Sequence, residues 1–559
     1  MGTKTATRLA CRGTVVRSFK ISLVAPLICA GLVACGGGGG GNGAASLAAI
    51  AAPSQTPQAM CTSLASARVD ASAIGRPTSG ATVKSAQLIA TDASNSSPEY
   101  CKVLGEIAPL DNTAPPINFQ VNLPTEWNRK AVQFGGGGYD GSLVTADGPS
   151  VQAYDAPTPI ARGYATFGSD SGHTADSLAA SWAVNAEARQ NWAGDQLKKT
   201  HDVAHDLIKK RYLSVPKRQY FAGGSQGGHE GFIAIQRFPA DYDGVISFYP
   251  SYDFAGGVLA GVTSGQAFFA KPGSSLSAAK QLLLRKSVYA ACDGLDGIND
   301  GIISNTTACD TEFKIATLRC ASGADEGETC LSDQQIGALN VFNTRTEFGF
   351  ALSGGTTSHT GGPAFRGGDV ESVVFGQDPT SSTSSVLSTF VSQYVKYFIT
   401  QDPNYDYLKF DPSAWTGQIT AASAQVDAAS VEIDAFRSKG GKFLLAHGLT
   451  DTLVFPGSSV DYYNRLVARF GQATVASFTR FYTIPGFGHG TGVFTASWDS
   501  LAVLDAWVEN GMAPGQQVVS DFSAATKGRT RPLCQYGTWP KYGGSGDINA
   551  ASSFACVNQ

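Results

Sequence analysis

The sequence predicts an α/β protein, with a largely parallel sheet flanked by helices and interrupted by one long insertion. Two observations carry this. Short apolar runs that end in glycine alternate with helix-period segments from Lys130 to Pro250, and the alternation resumes from about residue 432. Between them, residues 251–431 turn to Gly, Ser, Thr, Asp and Cys and break the pattern. The length of 559 residues is enough for a large core and more than one domain.

The elements follow in chain order. Arg8, Arg12, Arg17 and Lys20 precede the apolar run 21–33, which is too short to span a bilayer and reads as an export leader. It ends in Leu32-Val33-Ala34-Cys35, a lipobox-like sequence. Residues 1–34 are therefore expected to be a lipoprotein signal peptide, with Cys35 lipidated and the chain held as an outer-membrane lipoprotein; an ordinary signal peptide would leave it periplasmic or extracellular. The Gly- and Ala-rich residues 35–60 read as a tether. The first half of the α/β domain is expected over 61–250. Its strands are "KAVQF" (from Lys130, before four glycines), the run within Gly163–His173, "RQYFAGG" and the run within Tyr242–Pro250. Helices are expected over Leu197–Tyr212 and from His229. An inserted domain spans 251–431. The second half, 432–559, brings strands at Lys442–Gly448 and within Ser477–Gly486. A helix over Asp499–Gly511 follows, with Leu501, Leu504, Trp507 and Val508 on one face and Gly511 as its cap.

Composition narrows the function. Charged residues make up 15% of the chain and the formal net charge is -4, so no nucleic-acid partner is expected, and no feature indicates a protein partner. Three of the 11 cysteines, Cys11, Cys29 and Cys35, belong to the leader. The other eight form an even set in an exported chain and imply disulfides. Sequence alone permits many pairings. The simplest joins neighbours: Cys61 with Cys101, Cys292 with Cys309, Cys320 with Cys330, and Cys534 with Cys556.

The chemistry centres on "GGSQGG", Gly223–Gly228. It fits G-x-S-x-G between a strand and a helix, the setting of a nucleophile elbow, where small neighbours let the backbone turn sharply and expose Ser225. A serine nucleophile needs a base and an orienting acid. In the α/β-hydrolase order Ser–Asp–His, "HGLTD" supplies Asp451 and "PGFGHG" supplies His489, each on a loop after a strand. His173 and His447 read as pocket residues. The oxyanion of the tetrahedral intermediate needs two N–H donors: Gln226 is one, and the loop Gly135–Gly138 supplies the other, at Gly136 or Gly137. A further motif, "CDGLDGINDG" from Cys292, clusters Asp293, Asp296 and Asp300. Such carboxylates repel one another unless a cation is bound, and oxygen ligands suit calcium; the spacing is not that of an EF-hand.

Together "GGSQGG", "HGLTD", "PGFGHG", "CDGLDGINDG" and the tail "RPLCQYGTWPKYGGSGD" resemble the tannase/feruloyl esterase family over roughly Cys61–Gln559. The resemblance implies an α/β-hydrolase fold with a large inserted lid that holds structural Ca2+. It maps the ion onto Asp293, Asp296 and Asp300 with the carbonyls of Ile298 and Ile302. It also implies a serine carboxylic-ester hydrolase acting on small aromatic-acid esters of feruloyl, galloyl or terephthalate type through an acyl-enzyme. Two alternatives stay open: an esterase of aliphatic or polyester oligomers, and a ligand-binding lipoprotein without catalysis. One departure stands out. The family's Cys-Ser and His-Cys pairs, joined by a disulfide, are replaced here by Gly224 and Gly490, so the triad is expected to be held by packing. Arg366 and Lys396 are the candidates for binding a substrate carboxylate.

Overall fold

A computed structural model describes residues 56–92 and 97–558 of the chain. The leader, Cys35 and the start of the tether lie outside the described residues. Residues 56–558 group as one compact unit.

Its frame is a ten-stranded mixed sheet. In chain order the strands are β1 (Arg68–Val69), β2 (Ala81–Ile89), β3 (Tyr100–Ile107), β4 (Ile117–Pro124), β5 (Lys130–Phe134), β6 (Ala165–Ser169), β7 (Arg218–Gly224), β8 (Gly244–Phe248), β9 (Lys442–Gly448) and β10 (Thr479–Ile484). Across the sheet the order is β1-β2-β3-β4-β6-β5-β7-β8-β9-β10. From β6 to β10 every pair is parallel. These strands are covered on both faces, which is why they read as continuous apolar runs. In β8 all five residues are buried.

The sheet continues through β4, which pairs antiparallel with β6, into a meander that the apolar-run reading did not mark. In β3, Tyr100, Val103 and Ile107 are buried, with half-exposed residues between them. That period-two pattern belongs to a strand with one face on the core. The helices fall where the sequence placed them. Gln196–Tyr212 buries Val203, Leu207 and Ile208, and Ser500–Asn510 ends at Gly511 with φ 67°. The helix after β7 begins at Gln226, three residues before the expected start, because the elbow leads into it directly.

Between β8 and β9, residues 249–441 add no strand to this sheet. They form helices around Phe254–Phe269, where Val258, Leu259, Val262 and Phe268 pack against Phe342, Leu387 and Val391. Tyr139 and Trp192, which lie outside the insertion, join the same cluster, so the insertion shares its core with the sheet domain.

The four disulfides are the neighbour pairs expected. Cys61–Cys101, Cys292–Cys309, Cys320–Cys330 and Cys534–Cys556 have Cα–Cα separations of 5.5, 5.1, 4.9 and 5.6 Å. Among the described residues, no helix is long and apolar enough to cross a membrane.

Candidate active site

The parallel strands deliver their loops to one edge of the sheet, the carboxyl end, where ligands of such sheets gather. The glycine loop follows β5, Ser225 follows β7, Asp451 follows β9 and His489 follows β10.

Ser225 sits at φ 59°, ψ -119°, a strained conformation for a residue with a side chain. Its N–H donates to Phe248 O at 3.0 Å and its carbonyl accepts from His229 N–H at 3.0 Å, so both neighbouring elements hold the turn. The turn also needs bare backbone. A β-carbon on Gly223 would lie 2.4 Å from the carbonyl of Gly227, and one on Gly227 would lie 2.9 Å from Gly136 O.

The expected triad assembles. His489 Nε2 is 2.9 Å from Ser225 Oγ, and His489 Nδ1 is 2.8 Å from Asp451 Oδ2. The second oxygen, Asp451 Oδ1, accepts the N–H groups of Leu453 and Val454, each at 2.9 Å. Asp451 is fully buried. Burial by itself raises its carboxyl, but the charge of His489 and hydrogen bonds from His447 and His489 outweigh that and hold it well below the usual carboxylate range.

His447 is a support beneath Asp451 rather than a pocket residue. Its Nδ1 meets Ser459 Oγ at 2.8 Å, and its Nε2 lies 2.9 Å from Val454 O and 3.5 Å from Asp451 Oδ2. His173 is buried too, stacked on Trp182 at 4.0 Å with Nε2 2.8 Å from Tyr139 O. Neither histidine lines the cleft at Ser225.

The glycine loop corrects one expectation. Gly136 turns its N–H inward to Glu230 Oε2 at 3.1 Å, so it is not free to meet a substrate oxygen. Gly137 donates its N–H to the Asp140 carboxylate, so it is not free either; Gln226, at the first turn of its helix, has no intrahelical partner for its N–H, and Gly138 borders the cleft beside Ser225. Beneath the loop lie two buried carboxyls. Burial, opposed by hydrogen bonds from Ser171 and Gly137, raises Asp140 to about 7; burial and the charge of Asp140 raise Glu230 well above its usual range. Glu230 also accepts from Gln196 Nε2 at 2.7 Å, which ties the loop to the helix behind it. Sequence reasoning missed this pair; the acidic residue five positions after Ser225, inside an apolar helix, was the available signal.

A narrow cleft runs from Ser225 into the insertion. Its walls are Val258, Leu387, Phe390, Val391, Leu453 and Phe455, and Asp253 and His359 also line it. None of the described residues lining it is a lysine or arginine. Asp253 is buried with Oδ1 unpartnered, and burial raises it to about 7. His359 is buried and burial lowers it to about 4, so it is neutral. The two cations singled out from the sequence lie elsewhere. Arg366 pairs with Asp310 at 2.6 Å on the surface, and Lys396 borders a separate hollow with Tyr405. On the other side of His489 a more polar hollow is lined by Tyr289, Asp369, Glu371, Thr450, Thr452 and Thr491, among others.

The acidic loop lies apart from these groups. Asp293 Oδ1 accepts Gly301 N–H at 3.1 Å, Asp296 Oδ1 accepts Ile298 N–H at 3.2 Å, and Asp300 Oδ1 accepts Ile302 N–H at 2.9 Å. Asp300 Oδ2 pairs with Arg531. Asp296 Oδ2 is buried and has no partner. Burial, with the charges of Asp300 and Asp293, raises Asp296 to about 6. An orphaned oxygen among three carboxylates fits an oxygen-seeking cation. Among the described residues the one set of three whose donor atoms close to within 4.8 Å is Cys320, Glu326 and Cys330, and its two cysteines form a disulfide.

A strained serine between a parallel strand and a helix, on a sheet whose next loops bring an aspartate and a histidine, places the chain in the α/β-hydrolase class. Within that class it belongs to the tannase and feruloyl esterase family, whose profile matches residues 101–557, and it is an esterase. It is 37% identical to an uncharacterized esterase of Agrobacterium fabrum over 91% of this chain and 95% of that protein. It is 31% identical to the mono(2-hydroxyethyl) terephthalate hydrolase of Piscinibacter sakaiensis, over 84% and 86%. Among solved structures, feruloyl esterase B from Aspergillus oryzae shares the fold with a TM-score of 0.72 at 22% identity, covering 90% of this chain and 100% of that one.

Proposed function

We propose that the protein hydrolyses small aromatic-acid esters through an acyl-enzyme on Ser225. The observation that carries this is the chain of hydrogen bonds from Asp451 through His489 to Ser225 Oγ. Ser225 Oγ attacks the ester carbonyl while its proton passes to His489 Nε2. Asp451, kept ionised, holds Nδ1–H and stabilises the imidazolium that forms. The N–H group of Gln226 receives the oxyanion, with Gly138 of the glycine loop beside it, and Gly136 and Gly137 fix the loop from behind. The intermediate collapses, the C–O bond breaks, and the imidazolium returns the proton to the leaving alkoxide. Water then repeats the sequence and frees the acid and Ser225.

The apolar cleft takes the acyl group, and residues 251–431 act as a lid over it. With no cation on its walls and Asp253 beside them, it favours a neutral ring of feruloyl or galloyl type over a terephthalate half-ester, whose carboxylate would be buried unpaired. The polar hollow beyond His489 suits the alcohol. Asp293, Asp296 and Asp300, with the carbonyls of Ile298 and Ile302, would hold Ca2+, which supplies charge neutralisation to the loop and takes no part in the reaction. Four disulfides support an exported enzyme, with Cys35 as its lipid anchor. The reading is tested by a fluorophosphonate: labelling should fall on Ser225 and abolish ester turnover. Full turnover after stoichiometric labelling would contradict it.

A further inference from the structure

Tyr249 fills the space between the glycine before Ser225 and the glycine after His489, and we propose that it is a positioning residue: with Gln152 it locks the imidazole of His489 against Ser225. The inference rests on the reading of those two residues as nucleophile and base.

A β-carbon on Gly224 would lie 2.8 Å from Tyr249 Oη and 2.9 Å from its Cζ; one on Gly490 would lie 3.5 Å from the same hydroxyl. The phenol therefore reaches both glycines, and Gly224 is bare because the ring passes over it. The ring centroid is 4.8 Å from that of His489 and 5.7 Å from that of Phe487. Asp451 pins His489 at Nδ1 only, so the imidazole could still swing about that bond. His489 also lies on a loop with glycines at 486, 488, 490 and 492, which gives the backbone little stiffness of its own. The Tyr249 ring is packed against the imidazole and opposes that swing.

The brace is itself fixed. Gln152 Nε2 donates to Tyr249 Oη at 2.8 Å and reaches Gly490 O at 3.5 Å. Tyr249 N–H donates to Ala446 O at 2.8 Å, and the side chains of both residues are buried. Trp498 N–H donates to Gln152 O at 2.6 Å. Tyr249 and Gln152 both have positive φ, 34° and 51°. Such strain in residues with side chains persists where the surroundings over-determine it, and it clusters at functional sites. Here two strained residues meet at one hydroxyl beside the reacting pair.

The test measures kcat, KM and melting temperature on a soluble aryl ester for Tyr249→Phe, Tyr249→Ala and Gln152→Ala, with Ser225→Ala as control. Tyr249→Ala should lower kcat about a hundredfold with KM within about threefold, the scale of a small misplacement of reacting groups. Tyr249→Phe and Gln152→Ala, which keep the ring but remove its tether, should each lower kcat by about fivefold to tenfold. A folded Tyr249→Ala with kcat within threefold of the parent overturns the proposal. If that variant does not fold, parent-like kcat in both of the others overturns it. A Gly224→Cys/Gly490→Cys pair adds a second readout. Thiol counts should show a disulfide only when Tyr249→Ala has cleared the space, with part of the lost kcat restored; closure with Tyr249 present at full activity also overturns the proposal. Near-normal turnover by Ser225→Ala would instead overturn the nucleophile assignment on which the inference rests.

Discussion

The triad and the acidic loop both gather charge in a small volume, and they treat it differently. Around Asp451 the buried charge is answered by the chain itself: two N–H groups on one oxygen, His489 on the other and His447 beneath. Around Asp296 it is answered only in part: Arg531 pairs with neighbouring Asp300, but one buried oxygen of Asp296 has no donor and the nearby carboxylates add repulsion. Their shifts have opposite signs for this reason. Asp451 is thus held ionised by neighbouring groups of the chain, whereas Asp296 keeps a buried oxygen without a donor, which is the ground for proposing a cation there.

The largest test of that contrast is removal of the reacting groups. Ser225→Ala or His489→Ala should lower kcat by roughly a millionfold, since the members of such a unit fail together. Steady-state kinetics with a freshly purified, folded variant checks it. Asp451→Asn should cost about ten-thousandfold in kcat with KM nearly unchanged, because the amide favours the wrong tautomer of His489. A loss below tenfold would mean that Asp451 only supports the loop.

Substrate choice sharpens the picture of a cleft without a cation. kcat/KM for a neutral aryl ester such as methyl ferulate should exceed that for mono(2-hydroxyethyl) terephthalate by at least about tenfold, the scale of a buried charge left unpaired. Equal values would mean that a cation reaches the cleft during turnover.

The smallest effect on rate, but a clear one on stability, is expected from chelation. EDTA should lower the melting temperature by several degrees through loss of a ligand bound to the native state, with the initial rate at 25 °C within about twofold. Asp296 gives the pH sign. Its folded value, about 6, is above the unfolded one, so the native state binds more protons between roughly pH 4 and 6, and the metal-free protein should lose stability as pH rises through that window. Calcium should flatten the slope. Asp451 acts the other way: its depressed value stabilises the fold above the usual carboxylate range, and that contribution is lost as pH falls toward the folded value. Urea midpoints against pH, with and without calcium, separate the two.

Much of the site was legible in the sequence because its chemistry is local. Strand, turn and helix around Ser225 are consecutive, and Asp451 and His489 each follow an apolar strand within a few residues. The parallel strands were legible for the same reason, since burial on both faces leaves uninterrupted apolar runs. The antiparallel strands β2 to β4 were not: in β3 half-exposed residues interrupt the apolar ones, and in β4 the buried, hydrogen-bonded amides Gln120 and Asn122 do so. The donor at the glycine loop could not be read either. Whether Gly136 points in or out is decided by Glu230, ninety-four residues away in sequence. Tyr249 was hidden likewise: a tyrosine just past a strand is ordinary until the loops carrying Gln152 and His489 fold over it.

The proposed chemistry turns on a covalent bond formed at Ser225. Rapid quenching during turnover of an activated aromatic ester, followed by mass spectrometry of the peptides, tests it directly. An acyl-enzyme on Ser225 should give a pre-steady-state burst of alcohol and the acyl mass on the peptide containing Ser225, with neither in His489→Ala. Steady turnover with no acyl mass on that peptide, under conditions where a burst is seen, would contradict it.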